Sequence, residues 1–389
     1  MVVAGIRRVV VAADKFKGSL TAVEVARQVT AGLRRIVPDI EVEALPVADG
    51  GDGTVDAAVA AGFERRTLQV TGPLGTPVSA SFALRGGTAV VELAEASGLR
   101  RLPAGVFRPL TATTYGTGEL IGAALDAGAR TVVLGVGGSA TTDGGAGMLT
   151  ALGARFTDAE GEPLEPGGGP LAAVAAADLS GLDPRIAETE IILASDVDNP
   201  LTGPKGAAAV YGPQKGATEA DVAALDAALA RYAAVLSAAV GPSAPAPDAP
   251  GAGAAGGAAY GAMAGLGAVR RPGIEVLLEV LGFSRALDRA QFVITGEGSL
   301  DRQTLHGKAP VGVARAARRK GLEVVAVCGR LLLSPEEMAA VGIRRAYPLT
   351  AIEPDPARCM EQAGPLLARA GEAIARDFLL GGFPPPPTH

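Results

Sequence analysis

Ile6-Arg7-Arg8-Val9-Val10-Val11-Ala12-Ala13, followed at once by Asp14-Lys15-Phe16-Lys17-Gly18-Ser19-Leu20, decides the fold. A valine-rich run without polar alternation is the pattern of a strand buried on both faces, as in parallel sheets covered by helices. The polar, glycine-containing segment after it reads as a loop. A helix then opens on the capping box Thr21 to Glu24 and carries Val25, Val29, Leu33 and Ile36 on one stripe. The pattern repeats: a strand over Glu41 to Val47, the loop Asp49-Gly50-Gly51-Asp52-Gly53-Thr54, and an Ala/Val helix closed by Gly62. In open parallel sheets, ligands bind at the carboxyl ends of the strands, where these loops lie.

Further along, the style changes. Leu68 to Val70, Val78 to Leu84 and Ala89 to Leu93 are short strands divided by Gly-Pro, Gly-Thr-Pro and Gly-Gly, an antiparallel meander. A helix near Gly118 to Ala127, strands at Thr131 to Val136 and Glu190 to Ala194, and a Gly/Pro/Ala/Ser stretch over Gly241 to Gly257 follow. The last of these is expected to be a long flexible loop. From Gln291 the strand–helix style returns, and Phe383 to His389 reads as a solvated tail. Two strand–helix units in the first 63 residues cannot cover both faces of a sheet alone. The expected architecture is therefore a two-domain α/β protein. A Rossmann-like or flavodoxin-like parallel-sheet domain (1–65 and 285–382) is interrupted by a second, mixed α/β domain (66–284), and 383–389 form the tail.

Composition narrows the function classes. The chain has 389 residues, a net charge of −6 and 20% charged residues, which leaves no basic surplus for a nucleic-acid backbone. Its most apolar long stretch, Ala223 to Val240, contains Asp226 and Arg231, which disfavours a membrane span. The N-terminus lacks the order of a signal peptide, and two cysteines, Cys328 and Cys359, make no disulfide framework. A cytoplasmic protein with neither membrane nor nucleic-acid partners is expected.

Of 35 basic residues only six are Lys: 15, 17, 205, 215, 308 and 320. A chain that uses Arg for general surface charge keeps Lys where a compact ammonium is wanted. Five of the six touch a glycine. Lys320 ends Arg318-Arg319-Lys320-Gly321, a helix C-terminus with its cap; the others point to anion binding. Gly135-Val136-Gly137-Gly138-Ser139-Ala140 follows a strand and fits the dinucleotide pattern G-x-G-x-x-A. It runs on through Thr141-Thr142-Asp143-Gly144-Gly145, too long and polar for a tight Rossmann turn, and backbone amides with the Ser139 and Thr142 hydroxyls suit a phosphate cradle. No Walker A loop occurs. Asp14, Asp49, Asp52, Asp143, Asp196, Asp198, Glu297 and Asp301 recur at strand ends or in adjoining loops, a set that suits Mg²⁺. Mg²⁺, lysines and phosphate-cradling glycines are the equipment of phosphoryl transfer.

Together these blocks resemble the type 1 bacterial glycerate kinases, in the same order along almost the whole chain. Asp14 to Leu20 is similar to that family's first signature, whose second residue is commonly Ser. Pro46 to Thr54 is similar to the second, with Asp52 where Glu is usual. Gly135 to Met148 is similar to the third, with Thr142 where Asn is frequent. Asp196-Val197-Asp198-Asn199-Pro200-Leu201, Tyr211 to Ala217, and Thr295 to Asp301 through Gln303-Thr304, Gly307-Lys308 and Pro310 complete the series. The resemblance implies ATP-dependent phosphorylation of D-glycerate, usually to 2-phosphoglycerate, with Mg²⁺, in a cleft between two α/β domains. Chemistry assigns the roles. Asp196 is the candidate general base or Mg²⁺ ligand. Asp49, Glu297 and Asp301 would hold Mg²⁺ or orient the nucleophile, and Lys17, Lys215 and Lys308 would neutralise phosphate and the substrate carboxylate. Ser139 and Thr142 would bind an anionic group. Asp14, Asn199, Gly137, Gly138 and Gly298 complete the substrate and ATP contacts. Two rivals stand beside this: an NAD-dependent oxidoreductase of a small hydroxy acid, resting on Gly135 to Ala140, and a catalytically silent nucleotide-binding regulator.

Overall fold

The computed structural model describes residues 6–48 and 50–380. It falls into two compact units. Among the described residues, one comprises 6–48, Asp56–Ala61 and 274–380; the other comprises Gly50–Val55 and Gly62–Gly273. The strands in chain order are β1 (Arg8–Ala13), β2 (Glu41–Ala44), β3 (Glu64–Thr71), β4 (Pro77–Arg85), β5 (Thr88–Glu92), β6 (Thr131–Gly135) and β7 (Arg155–Thr157). They continue with β8 (Ala176–Asp178), β9 (Glu190–Ala194), β10 (Val269–Arg271), β11 (Phe292–Leu300), β12 (Glu323–Leu331) and β13 (Arg345–Pro348).

The sheet of the first unit has the order β13-β12-β11-β1-β2 and is parallel throughout. Counted within the sheet this is the flavodoxin order 2-1-3-4-5, whose switch point lies between β1 and β11. The predicted buried strand is there: Val9 to Ala13 are each at most 1% exposed. Val9, Val11 and Ala13 join the core with Val25, Val29 and Leu33 of helix Ala22–Ile36 and with Leu366, Leu367 and Ala370 of helix Ala363–Ile374. The capping box at Thr21 is formed on both sides, satisfying two of the helix's orphan donors. These two helices touch through glycine. A Cβ on Gly32 would stand 1.9 Å from the Ala368 carbonyl oxygen, and one on Gly371 2.5 Å from that of Val29.

The second unit holds a six-stranded sheet, β10-β9-β6-β5-β4-β3, and the small antiparallel pair β7-β8. β3, β4 and β5 form the predicted antiparallel meander. From β5 onward the sheet is parallel, through β6 and β9 to β10. Four carboxyl ends therefore lie side by side, at Glu92, Gly135, Ala194 and Arg271. Helix Glu219–Val240 is long and apolar enough by length and composition to cross a membrane. It is capped at Thr218, and Leu225, Ala228, Leu229, Tyr232, Ala233 and Leu236 are buried in the core of this unit.

The flexible loop expected over 241–257 is not found throughout: 241–250 are largely exposed turns, but 251–257 are packed into the unit. Ala252 and Ala254 are buried, the Leu201 amide donates to the Pro247 carbonyl at 2.8 Å, and the Gly144 amide donates to that of Gly256 at 3.1 Å. Alanine and glycine are common here because chain packs on chain with no room for larger side chains, a composition that imitates a linker. Phe383 to His389, read as a tail, lies outside the described residues. The close helix pair gives a direct test: Gly32→Ala overpacks the interface and is expected to lower stability by about 1–3 kcal/mol, measured as a drop in the urea midpoint at unchanged slope.

Candidate active site

In the first unit the two polar blocks meet at the switch point. The Asp14 amide donates to the Gly296 carbonyl at 2.8 Å, so the loops after β1 and along β11 are tied together. Asp14 is 9% exposed, and its Oδ1 accepts from the Lys15 amide at 2.6 Å. Phe16 and Leu20 exchange backbone hydrogen bonds across a tight turn, which presents Lys17 and Gly18 to solvent. A Cβ on Gly298 would lie 3.5 Å from the Lys17 amide nitrogen, so the two loops are in contact there. Glu297, 8% exposed, accepts from the Thr304 hydroxyl through Oε1, and Lys308 Nζ stands 3.9 Å from its Oε2. Lys308 is the N-cap of helix Ala309–Arg319. Asp301 makes local bonds: its Oδ1 accepts from the Gln303 and Thr304 amides at 2.9 and 3.4 Å. Asp49 lies outside the described residues.

A groove of about 380 Å³ opens elsewhere in this unit, lined by Arg8, Arg34, Glu41, Glu43 and Arg289. It borders the amino ends of β1 and β2. Arg8 pairs with Glu41 at 2.6 Å and Arg289 with Glu43 at 3.1 Å, so much of its charge is already matched. The polar, glycine-containing blocks are at the other end of the strands.

In the second unit the loop after β6 lies on residues 50 and 51. The Gly137 amide donates to the Gly50 carbonyl at 3.0 Å, and a Cβ at 135 or 137 would come within 2.6 Å of the Gly50–Gly51 backbone. These glycines admit the chain's own backbone, and the next helix, Ala146–Ala151, begins eleven residues after the fingerprint starts. The dinucleotide reading of Gly135 to Ala140 is not favoured by this arrangement. Gly138 is exposed at the tip and Gly137 half-buried.

Beneath the tip is a buried polar cluster. Lys215, 2% exposed, donates through Nζ to Ser139 Oγ at 2.9 Å and to the Thr141 carbonyl at 2.5 Å. Asp143 accepts through Oδ2 from the Thr114 amide and hydroxyl, both at 2.8 Å, and from the Gly147 amide at 3.3 Å. Its Oδ1 accepts from the Gly145 amide at 3.2 Å. Burial pushes the Asp143 carboxyl up against those hydrogen bonds and pulls the Lys215 ammonium down to about 7, with the Asp143 charge opposing the fall. Lys215 was expected to meet phosphate; here it props the loop from below. The Thr142 hydroxyl is likewise enclosed, with no hydrogen-bond partner among the described residues.

At the end of β9, Asp196 is half-buried, and its Oδ1 accepts from the Gly273 amide at 2.8 Å. Asn199 braces its own loop, donating to the Lys205 carbonyl at 2.8 Å and accepting from the Tyr211 hydroxyl at 2.7 Å. The structure thus gathers Asp14, Lys17, Glu297, Gly298, Asp301 and Lys308 in the first unit. It gathers Gly137, Gly138, Ser139, Thr142, Asp196, Asn199 and Lys215 in the second. Sequence reasoning missed Glu92, which closes β5 and is 1% exposed. A carboxylate ending the apolar run Thr88-Ala89-Val90-Val91 was the available signal.

The family model for the glycerate kinase family matches residues 9–379, nearly the whole described chain. The chain belongs to the glycerate kinase family. Among its relatives, a glycerate kinase from Halalkalibacterium halodurans is 45% identical over 94% of this chain and 97% of that protein. A glycerate 2-kinase from Escherichia coli K12 is 47% identical over 83% of this chain and 85% of that protein. The crystal structure of a putative glycerate kinase 2 from Salmonella typhimurium LT2 superposes with a TM-score of 0.83 at 42% identity, covering 95% of this chain and 98% of that one. As a member of the glycerate kinase family the chain is an enzyme, a kinase of the mixed α/β class.

Its lysines separate into kinds. Lys320 pairs with Asp288 at 2.6 Å on the surface, where such pairs are worth about 0–1 kcal/mol, so Lys320→Ala is expected to leave activity unchanged. Lys215 is the opposite case. Its folded value near 7 lies below its ordinary 10.5, so the unfolded chain binds the extra proton between those values and stability gains as pH rises through that window. Replacing Lys215 with Met removes that gain. The Tm difference between wild type and Lys215→Met is expected to move in favour of the wild type between pH 7 and pH 9; a constant difference speaks against a strained buried ammonium.

Proposed function

We propose that the enzyme transfers the γ-phosphoryl group of ATP to a hydroxyl of D-glycerate, with Mg²⁺, giving 2-phosphoglycerate. Membership of the glycerate kinase family supports the acceptor, and the name of the Escherichia coli relative, a glycerate 2-kinase, supports the position. The observation that carries the reading is the placement of charge. In each unit the polar, glycine-containing blocks sit at the carboxyl ends of parallel strands, and in the first unit they sit at the flavodoxin switch point.

Lys17 is exposed on its turn, and Lys308 is one-third exposed at a helix N-terminus. Both can place an ammonium on phosphate or on the glycerate carboxylate, and the helix end adds backbone donors. The exposed Gly138 tip offers its backbone amide to an anion, with Ser139 and Lys215 holding the loop from below. Asp196 is the candidate base for the glycerate hydroxyl; its Oδ1 is fixed by the Gly273 amide, which orients the carboxylate.

Among the described residues no group of three or more His, Cys, Asp or Glu side chains could hold a metal. That donor set still fits Mg²⁺, which is commonly bound by one or two carboxylates together with substrate phosphates. Glu297 is the carboxylate proposed to hold it in the first unit, kept oriented by Thr304 and balanced by Lys308. When bound, the ion would supply neutralisation of charge on the phosphoryl oxygens. The need for ATP fits a cytoplasmic enzyme.

Purified protein is expected to form ADP only when ATP, glycerate and Mg²⁺ are all present, and to stop on addition of EDTA. A 2-phospho product is consumed by enolase without any mutase, which fixes the position. Lys17→Ala and Lys308→Ala are each expected to lower kcat/KM about 10²-fold, as loss of a charge contact to a transferring phosphoryl group does. Oxidation or reduction of a nicotinamide with no ADP formed would refute the assignment.

A further inference from the structure

Glu92 has no role in the site as described so far, yet its side chain is at the structural centre of the second unit's loops. It closes β5, the strand beside β6, and is 1% exposed. One oxygen, Oε2, accepts from two backbone amides of the next segment in space, Gly53 at 3.1 Å and Val55 at 3.2 Å. The other, Oε1, accepts from Arg100 Nη2 at 3.0 Å. The segment that Glu92 grips, residues 50–55, is the one on which the loop after β6 rests, through the Gly137–Gly50 hydrogen bond and the close backbone contacts at 135 and 137. A chain of direct contacts therefore runs from the Glu92 carboxylate to the exposed tip at Gly138.

We propose that Glu92 is a positioning residue for phosphoryl transfer, setting the height of the Gly137–Gly138 tip by holding the backbone of Gly53 and Val55. The proposal rests on the reading of that tip as an anion-binding loop.

The side chain is an expensive way to hold a loop for stability alone. Three carboxylates, Asp52, Glu92 and Glu95, face Arg100, and Glu95 also pairs with Arg101 at 3.2 Å. Burial, with Glu95 and Asp52 adding repulsion and Arg100 opposing, pushes the Glu92 carboxyl up to about 7. The folded protein then binds the extra proton between pH 4.5 and 7, so ionised Glu92 lowers stability as pH rises through that window. A neutral amide of the same shape removes that penalty while its carbonyl oxygen still accepts from the two amides; its NH₂ group replaces Oε1 and gives up the Arg100 contact. Leucine removes penalty and acceptor together. Position and stability are thereby separable.

The test compares Glu92→Gln with Glu92→Leu at pH 8, by kinetics, thermal melting and hydrogen exchange of the peptide spanning residues 50–56. Glu92→Leu is expected to lose at least tenfold in kcat/KM, with faster exchange in that peptide. Glu92→Gln is expected to regain most of the rate and the protection. Equal rates for the two variants, or unchanged exchange in Glu92→Leu, overturns the proposal. Should Glu92→Leu fail to fold, Glu92→Asp serves: a side chain one methylene shorter keeps the charge but draws back from the Gly53 and Val55 amides, and unchanged kcat/KM with unchanged exchange over residues 50–56 overturns the proposal. Exchange needs no substrate. A wild-type enzyme that rejects glycerate would therefore refute the proposed function while leaving the Glu92 test intact.

Discussion

Backbone packed directly on backbone is the constraint that shapes the second unit's candidate site. At 135 and 137 there is no space for a Cβ, because the Gly50–Gly51 chain fills it; on its other side a Cβ at Gly50 would meet the Ala194 carbonyl oxygen at 2.7 Å. The ends of β6 and β9 and the Gly50–Gly51 segment are thereby fixed relative to one another within a side chain's breadth. Such contacts transmit small displacements well, because a close-packed interior has no slack to absorb them. A loop so constrained can present amides to an anion without being ordered by it, and preorganised donors are what stabilise developing charge.

Beneath those loops the protein keeps charge in its interior. Lys215 and Asp143 are both enclosed, and each is drawn toward its neutral form by burial. Breaking one partner of such an arrangement leaves buried polar groups unmatched, at roughly 1–3 kcal/mol each. The surface is treated differently. Its ion pairs, such as Arg130–Glu188, are mostly between exposed side chains and contribute little. The scarcity of Lys in the sequence pointed to special sites, but it could not distinguish an ammonium facing a ligand from one built into the core. Only the environment of Lys215, with Ser139 and the Thr141 carbonyl as its partners, makes that distinction.

Local signals were legible wherever one stretch of chain carried the whole message. The capping box at Thr21, the doubly buried strand at Val9 to Ala13 and the meander at β3 to β5 each follow from contiguous residues, and the polar blocks fell where strands end. Signals that depend on a partner far along the chain were not. Glu92 looked like one acid among 41, since its partners Gly53 and Val55 lie 39 and 37 residues away. Residues 241–257 looked like a linker because their composition is small and apolar, whereas that smallness serves packing against Asn199, Leu201 and Gly144. The glycines at 135 and 137 were seen, but the chain that approaches them could not be named from their spacing.

The parallel pairing of β1 with β11 has a consequence for biogenesis. Val9 lies opposite Phe292, so one edge of the first strand finds its neighbour only after some 280 further residues have been made. At roughly 5–20 residues per second this is a wait on the order of 15–60 s. During it a short, strongly apolar strand has an open edge in the nascent chain, the feature most prone to pairing with a wrong partner. The intervening sequence, meanwhile, can bury its own core as soon as β10 emerges. The enzyme is thus expected to depend on chaperones at the ribosome more than its modest size would suggest, and a circular permutant opened within the intervening sequence, which brings β11 nearer to β1 along the chain, should relieve that dependence.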